Sequence, residues 1–148
     1  MPDCIPATIA IGGKLQEAKL AKLRDLLPPT GDLHEAIKDG KPFYGEDGDA
    51  AWGDFSELEQ FCRKNKLTYR RTTQAKYEND GEVVFWQPGM KEPISNRATQ
   101  DGCPYAVLPC LKAALEKGDT LRDVVDSLSQ FSRFCPALKV VKTKGRKP

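Results

Sequence analysis

The sequence predicts an α+β fold: a single small domain with a mixed or antiparallel sheet of about four strands and helices packed mainly on one face. Three observations lead to this class. A length of 148 residues fits one domain, apolar residues occur at both helix and strand spacing, and a central β-hairpin separates two groups of helical segments. We expect residues 1–138 to form the domain and residues 139–148 to form a mobile basic tail.

The first part of the chain predicts one strand and three helices. Residues 7–11 are a short apolar run that is typical of a buried strand, and apolar residues keep helix spacing over residues 14–27. Pro28 ends this helix because proline cannot continue it. A second helix over residues 33–39 and a third that starts at Asp54 are predicted because each opens with a capping-box pattern.

The middle of the chain predicts a hairpin between two loops. Residues 41–54 contain glycines among acids and predict a loop. Residues 67–78 and 82–87 are rich in strand-forming residues and are joined by a turn containing "NDG", so they predict the central β-hairpin. Proline and glycine follow the second strand and predict a long loop over residues 88–103.

The last part of the chain predicts two helices and a short strand. The helices cover residues 109–117 and 120–134, and the strand covers residues 138–141. The helix pair has the spacing of a helix-turn-helix motif, but Asp123 and Asp126 would be repelled by phosphates. We therefore expect an αα-hairpin that packs on the sheet.

The glycines in "ATIAIGGKLQEAKL" resemble those of a phosphate-binding loop, since they lie between a strand and a helical pattern. Their spacing matches neither the nucleotide-binding P-loop nor the dinucleotide fingerprint. We expect Gly12 and Gly13 to turn the first strand into the first helix. A weak anion site remains as a hypothesis, formed by Gly12, Gly13 and Lys14 at the predicted helix start.

Histidine and cysteine residues are too few or too widely spaced to predict a metal or cofactor site. Structural zinc needs four Cys or His ligands, usually in close pairs, and the chain has one histidine and five cysteines. The acidic residues 45–54 lack the ligand and glycine positions of a calcium loop. We predict no metal and no cofactor. The catalytic hypothesis that remains is a small enzyme using His34 with the carboxylates of residues 46–54.

The cysteine pattern and the lack of long apolar segments predict a cytoplasmic protein. An odd number of irregularly spaced cysteines is untypical of a disulfide framework, so we expect reduced, mostly buried thiols. The N-terminal residues lack the features of a secretory signal, and no apolar run is long enough for a membrane helix. We therefore expect no contact with a membrane.

Positive charge is concentrated in the tail. The last ten residues, "KVVKTKGRKP", carry five positive charges and no acid, although the net charge of the chain is only +2. A nucleic-acid-associated protein is therefore an alternative function, with phosphates bound by strand arginines and the tail. The residues predicted for this role are Arg70, Arg71, Lys142, Lys144, Arg146 and Lys147.

The leading hypothesis is a non-catalytic protein-interaction module that uses the hairpin. Strand alternation places Phe85 and Trp86 on opposite faces, so helices on one face leave one of these aromatic residues exposed unless residues 88–103 cover it. The partner is another protein or a second copy of the chain. The predicted contact residues are Tyr69, Arg71, Phe85 and Trp86.

Overall fold

A mixed sheet of six strands lies at the centre of the structure, a computed structural model that describes residues 4–51, 55–74, 81–99, 102–132 and 135–141. Within these ranges the strands are β1 (Cys4–Gln16), β2 (Phe43–Ala51), β3 (Thr68–Thr73), β4 (Glu82–Trp86), β5 (Ile94–Arg97) and β6 (Leu138–Val141). The described α-helices are α1 (Leu20–Leu26), α2 (Leu33–Asp39), α3 (Ser56–Lys64), α4 (Leu108–Lys117) and α5 (Leu121–Ser129). The α+β class is confirmed, with more strands than the four predicted.

Strand β1 pairs with three other strands, β2, β3 and β6. The antiparallel strands follow the order β2-β1-β3-β4-β5, and β6 pairs in parallel with the second half of β1. The predicted hairpin is confirmed as the antiparallel pair of β3 and β4, with Tyr69 opposite Trp86. The predicted final strand is also confirmed, as β6. Residues 139–141 therefore belong to the sheet, and residues 142–148 lie outside the described ranges.

The sheet has two faces that are covered differently. The helical face packs against α1, α2 and α3 and holds most of the core, including Ile9, Ile11, Leu23, Phe43, Leu58 and Tyr69. The opposite face, here called the open face, has a smaller apolar cluster in which Phe131 and Ala98 pack with Phe85. This arrangement leaves the β1 and β2 end of the open face without a covering helix, among the residues described.

The first strand is longer than predicted. β1 contains 13 residues, and α1 begins at Leu20, so the helix predicted from residue 14 is wrong over its first turns. Leu15 has helix spacing relative to later apolar residues, but it is buried in the core as part of β1. Pairing with β6 keeps residues 13–16 extended. Local spacing cannot reveal this pairing because β6 is distant in sequence.

Gly12 and Gly13 lie inside β1 and not in a turn. A Cβ atom at Gly12 would lie 1.7 Å from the carbonyl oxygen of Pro136, so only glycine lets residues 135–137 cross the strand here. Gly13 donates its N–H to the Ala137 carbonyl oxygen at 3.1 Å. The predicted strand-to-helix turn is therefore wrong. The Gly13 amide is bonded within the protein at the point where an anion was predicted.

Both predicted loops contain a strand. β2 occupies most of residues 41–54 and pairs with β1, and β5 lies within residues 88–103 and pairs with β4. Glycine and acidic residues are poor strand formers, which is why the sequence predicts loops. Gly45 has a packing role, since a Cβ atom there would lie 2.6 Å from the Thr30 carbonyl oxygen. The edge of β1 supplies the pairing partner that β2 needs.

The sequence patterns match both ends of α2 and the start of α5, but α5 ends at Ser129 and not at the predicted residue 134. The Asp32 side chain accepts a hydrogen bond from the Glu35 N–H, and Gly40 closes α2 in the left-handed conformation. Thr120 and Asp123 form a reciprocal capping box at the start of α5. The predicted cap of α3, Asp54, lies outside the described residues. None of the described helices has the length and apolar character needed to cross a membrane.

Helices α4 and α5 do not pack on the sheet, contrary to the prediction. The structure describes all residues of both helices, and none of them is buried. The 3-10 turn Gln130–Ser132 that follows α5 does reach the open face, where Phe131 is only 6% exposed. The two helices are therefore attached to the domain through their flanking segments, and their apolar side chains remain accessible.

Candidate interaction surfaces

The four residues predicted to contact a partner are buried and divided between the two faces. Tyr69, Arg71 and Trp86 lie on the helical face, where the Tyr69 and Trp86 rings stack with centroids 6.3 Å apart. Phe85 lies on the open face and is buried against Phe131. Residues 88–103 contribute to this cover through Ala98 and Ile94. The hairpin therefore does not present these four side chains as one exposed surface.

Arg71 is the centre of a buried ionic network. Its Nε donates to Glu59 Oε1 at 3.0 Å and its Nη2 donates to Glu82 Oε1 at 3.1 Å. Its Nη1 donates to Thr73 Oγ1 at 2.6 Å. The second carboxylate oxygen of Glu59 accepts a hydrogen bond from the Phe55 N–H. The side chain of Arg71 thus ties β3 to β4 and α3, which is a structural role.

Burial suppresses the ionisation of Tyr69 and of two cysteine thiols. It raises the pKa of Tyr69 to about 12, and the nearby Glu59 carboxylate acts in the same direction. Arg63 opposes this shift, since it donates a hydrogen bond to the Tyr69 hydroxyl. Burial also raises the pKa of the Cys62 thiol, and it raises that of Cys135 to about 11. These groups stay protonated at neutral pH.

The described cysteines are divided between core and surface. Cys62 and Cys135 are buried, whereas Cys103 and Cys110 are exposed, and all four are free thiols. Of the four cysteines whose side chains the structure describes, two are buried, so the expectation of mostly buried thiols holds for half of them. Within the described ranges, no cluster of three or more His, Cys, Asp or Glu side chains has an arrangement that could hold a metal ion.

A polar cavity of about 580 Å³ lies at the uncovered end of the open face. Strand residues Thr8, Glu46 and Arg70 line it together with Tyr44, whose side chain is 60% exposed. Arg70 donates a hydrogen bond to the Phe131 carbonyl oxygen at 3.1 Å, so part of its guanidinium is already used. The structure thus separates the two arginines predicted to bind nucleic acid, with Arg70 at this cavity and Arg71 in the core.

His34 and Glu46 line different cavities. His34 lies on α2 beside a cavity of about 380 Å³ that Arg24 and Asp32 also line. Glu46 faces the cavity on the open face. The side chains of residues 49–54 are outside the described set. Among the described side chains, the structure does not place His34 and Glu46 at one site.

A basic cavity lies where α3 ends beside β1. It has a volume of about 680 Å³ and is lined by Lys14, Lys64 and Lys66. Two members of the predicted anion site, Gly13 and Lys14, thus line this cavity, although the Gly13 N–H is bonded to the Ala137 carbonyl oxygen. Val141, the last described residue of the chain, lines the same cavity. The tail residues Lys142, Lys144, Arg146 and Lys147 lie outside the described ranges.

Exposed apolar side chains lie on both α4 and α5, and together they are called the α4–α5 surface below. Its members and their exposed fractions are Leu108 (62%), Leu111 (40%), Leu115 (75%), Leu121 (79%) and Val125 (50%). The sequence shows that these residues form apolar stripes, but it predicts that the sheet covers them. The exposure follows from the position of the helices, for which the sequence carries no local signal.

Comparison with known proteins identifies no relative. No protein-family model matches the chain, and neither does any curated protein or solved structure. The surfaces described above are therefore the basis for a proposed function.

Proposed function

We propose that the protein is an interaction module that binds a second copy of itself through the α4–α5 surface. The observation that carries this proposal is where the exposed apolar side chains lie. Seven large apolar side chains are exposed in the described part of the chain, and five of them belong to α4 and α5. Single exposed apolar residues are normal on a protein surface, but a concentration of them marks a contact site.

The spacing of these side chains supports a helix-to-helix contact. Leu108, Leu111 and Leu115 are three and four positions apart, so they form one stripe along α4. Leu121 and Val125 are four positions apart and form a stripe on α5. Stripes with this spacing are typical of helices that pack against other helices. The proposed contact therefore joins helices of the two copies.

Charge supports a second copy as the occupant. Helix α4 contains two lysines and one glutamate, whereas α5 contains two aspartates and one arginine. A two-fold axis makes each surface contact its own counterpart, and α4 of one copy can then lie against α5 of the other. This arrangement covers both stripes and brings unlike net charges together. A second copy thus supplies apolar cover for both stripes and places a helix of opposite net charge against each helix.

The short lengths of α4 and α5 limit the contact area of the proposed dimer, so we expect a weak dimer. The helices have 10 and 9 residues, and each is therefore only about 15 Å long. A contact made by these helices is smaller than the roughly 800 Å² per partner of a standard stable interface. We therefore expect a dimer that dissociates in the micromolar range.

The test is the mass of the protein in solution as its concentration is varied. Sedimentation equilibrium of the wild type is expected to show a monomer at low concentration and a dimer at high micromolar concentration. Replacing two stripe residues, Leu115→Gln and Leu121→Gln, keeps the helices but removes apolar contact area. We expect this variant to dissociate at least tenfold more readily, which corresponds to about 1.4 kcal/mol.

The matched control is Tyr44→Ser, which removes an exposed apolar side chain elsewhere on the protein. We expect Tyr44→Ser to dimerise like the wild type. A wild type that stays monomeric at every concentration would contradict self-association. Equal weakening by the control would show that the contact surface is not on α4 and α5.

The proposed setting of this function is the cytoplasm. The described cysteines are free, and exposed thiols such as Cys103 and Cys110 persist in reducing compartments. The same two thiols would be prone to oxidation in a secreted protein. The exposed free thiols thus support the cytoplasm as the compartment in which the proposed interaction module acts.

A further inference from the structure

The basic cavity beside the end of α3 carries a second inference, independent of the α4–α5 surface. Lys14 comes from β1, and Lys64 and Lys66 come from the end of α3, so distant parts of the chain bring these lysines to one cavity. The polar residues Gln16 and Thr68 also line it. None of the described residues that line the cavity is acidic. The cavity is therefore suited to an anion.

Strand pairing adds a fourth lysine. In the parallel pair of β1 and β6, Lys14 lies opposite Lys139, and both side chains are exposed. Paired residues of neighbouring strands project to the same side of a sheet, so two positive charges are adjacent here. Like charges in this position repel each other and destabilise the pair. An anion that lies between them would remove this repulsion.

Lys66 has a backbone conformation that favours glycine. Its φ of 57° is the one positive value found for a non-glycine residue in the described ranges. Lys66 lies two residues after the end of α3, and its N–H donates to the Arg63 carbonyl oxygen. Glycine is the usual residue after a helix in this conformation because other side chains are strained there. A lysine at this point keeps a positive charge at the cavity at the expense of backbone strain.

The dipole of α3 explains only part of the cluster. Cations are favourable at the C-terminal end of a helix, which accounts for Lys64 and Lys66. It does not account for Lys14 and Lys139, since both lie on strands. No described acidic residue forms an ion pair with any of the four lysines. Their positive charges are therefore available to a ligand.

The sequence that follows the cavity residue Val141 is also basic. Val141 lines the cavity, and Lys142 follows it directly in the sequence. Three more basic residues come within the next five positions, Lys144, Arg146 and Lys147. A series of charges of this length matches a polymer with repeated negative charges better than a single small anion.

We propose that this cavity binds the phosphate backbone of a nucleic acid. The contact residues are Lys14, Lys64 and Lys66, which line the cavity, and Lys139, which is the strand partner of Lys14 and lies beside it. No aromatic side chain is among the described residues that line it, so base stacking does not contribute there. Binding therefore depends on phosphates and is independent of base sequence. This site differs from the strand arginines that the sequence indicates, because it uses lysines on β1, α3 and β6.

The test measures binding of the full chain to fluorescein-labelled oligo(dT) of 20 nucleotides by fluorescence anisotropy, at several KCl concentrations. A labelled 20-base-pair duplex is the second arm. Lys14→Gln combined with Lys139→Gln is expected to weaken binding about tenfold. The slope of log K against log[KCl] for the single strand should become smaller in magnitude by about 1.4, because each lost phosphate contact lowers it by about 0.7. Lys66→Gly is expected to weaken binding about threefold while raising the melting temperature.

The matched control removes the same charge elsewhere. Lys22→Gln combined with Lys38→Gln changes two exposed lysines on α1 and α2 that do not line the cavity, and it should bind like the wild type. The proposal is overturned if the control weakens binding as much as the Lys14 and Lys139 variant, or if the wild type binds neither arm. Displacement of the oligonucleotide by polyglutamate at equal charge concentration would also overturn it, in favour of an acidic protein. Circular dichroism checks that each variant folds.

Discussion

Arg71 shows how one residue can be misassigned when only its neighbours in sequence are known. It follows an arginine and a tyrosine on a strand, a pattern that suits a binding surface. In the structure its guanidinium donates to Glu59, Glu82 and Thr73 and is buried beneath α3. The partner Glu59 lies on a different element, so the sequence alone could not reveal the ion pair. The alternation of side chains along the strand was the one local clue.

The network predicts a large stability change at Arg71. Arg71→Met leaves the Glu59 carboxylate, whose side chain is only 8% exposed, without its cation. Breaking a buried ion pair from one side costs about 3–5 kcal/mol, because the remaining charge stays desolvated. We therefore expect the free energy of unfolding to fall by about 3 kcal/mol, as measured by urea denaturation.

A second variant separates the ion pair from simple packing. Arg71→Met combined with Glu59→Met removes both charges, so it should recover part of the stability lost in Arg71→Met. If the double variant were less stable than the single one, the uncompensated charge would not be the cause. A single variant within about 0.5 kcal/mol of the wild type, the usual range for a surface substitution, would contradict the network itself.

At the scale of elements, the sequence was sufficient where the signal is local. The capping-box pattern that begins at Asp32 marked α2, and side-chain alternation placed Phe85 and Trp86 on opposite faces of one strand. The sequence was insufficient where pairing with a distant strand determines the local structure. β2 forms because β1 offers it hydrogen bonds, and residues 13–16 stay extended because β6 pairs with them. Neither partner is visible in a short window.

The two proposed binding surfaces likewise depend on contacts that a short stretch of sequence does not reveal. The stripe from Leu108 to Leu115 is evident in the sequence, but whether the sheet covers a stripe depends on where the helix lies. Lys14 and Lys139 become neighbours only through the register of a parallel strand pair. Composition identified a basic tail, and the fold shows that the segment before it pairs with the first strand. Contacts between distant residues therefore decide both proposed sites.

Residues 135–137 pass so close to Gly12 of β1 that a single added methyl group at this position is expected to destabilise the protein. In Gly12→Ala the new Cβ would lie 1.7 Å from the Pro136 carbonyl oxygen, a backbone atom that cannot turn away. We expect the free energy of unfolding to fall by about 3 kcal/mol, at the upper end for overpacking, because relief of the clash must displace β6. Urea denaturation measures this change.

The control for this variant is another strand glycine. A Cβ atom at Gly48 in β2 would have no neighbour within 4 Å, so Gly48→Ala should leave stability within about 0.5 kcal/mol of the wild type. Equal behaviour of Gly12→Ala and Gly48→Ala would show that residues 135–137 can move aside without loss.

At the scale of the whole molecule, the buried thiol of Cys135 and the buried hydroxyl of Tyr69 determine how stability responds to alkaline pH. The pKa of Cys135 rises from 9.0 to about 11, and the pKa of Tyr69 rises from 10.0 to about 12. The unfolded chain releases these protons near the ordinary values, whereas the folded chain retains them. Stability is therefore full below pH 9 and falls as the pH rises from about 9 to 12.

Urea denaturation at pH 8 to 11, with a reducing agent present, tests this dependence. Cys135→Ala should show a shallower fall, since two pKa units correspond to about 2 to 3 kcal/mol. The exposed thiol of Cys110 serves as the control, and Cys110→Ala should follow the wild type. Parallel curves for Cys135→Ala and the wild type would exclude the buried thiol as a source of the alkaline loss.

The parallel pair of β1 and β6 also has a consequence for the order of folding. β1 is the earliest strand of the described chain and β6 is the latest, so this contact joins the most widely separated strands. Contacts of long sequence separation slow folding. While the chain is being synthesised, the second half of β1 has an open edge and the apolar side chain of Leu15 has no cover from β6. Residues 13–16 are then a site for mispairing or chaperone binding until β6 leaves the ribosome.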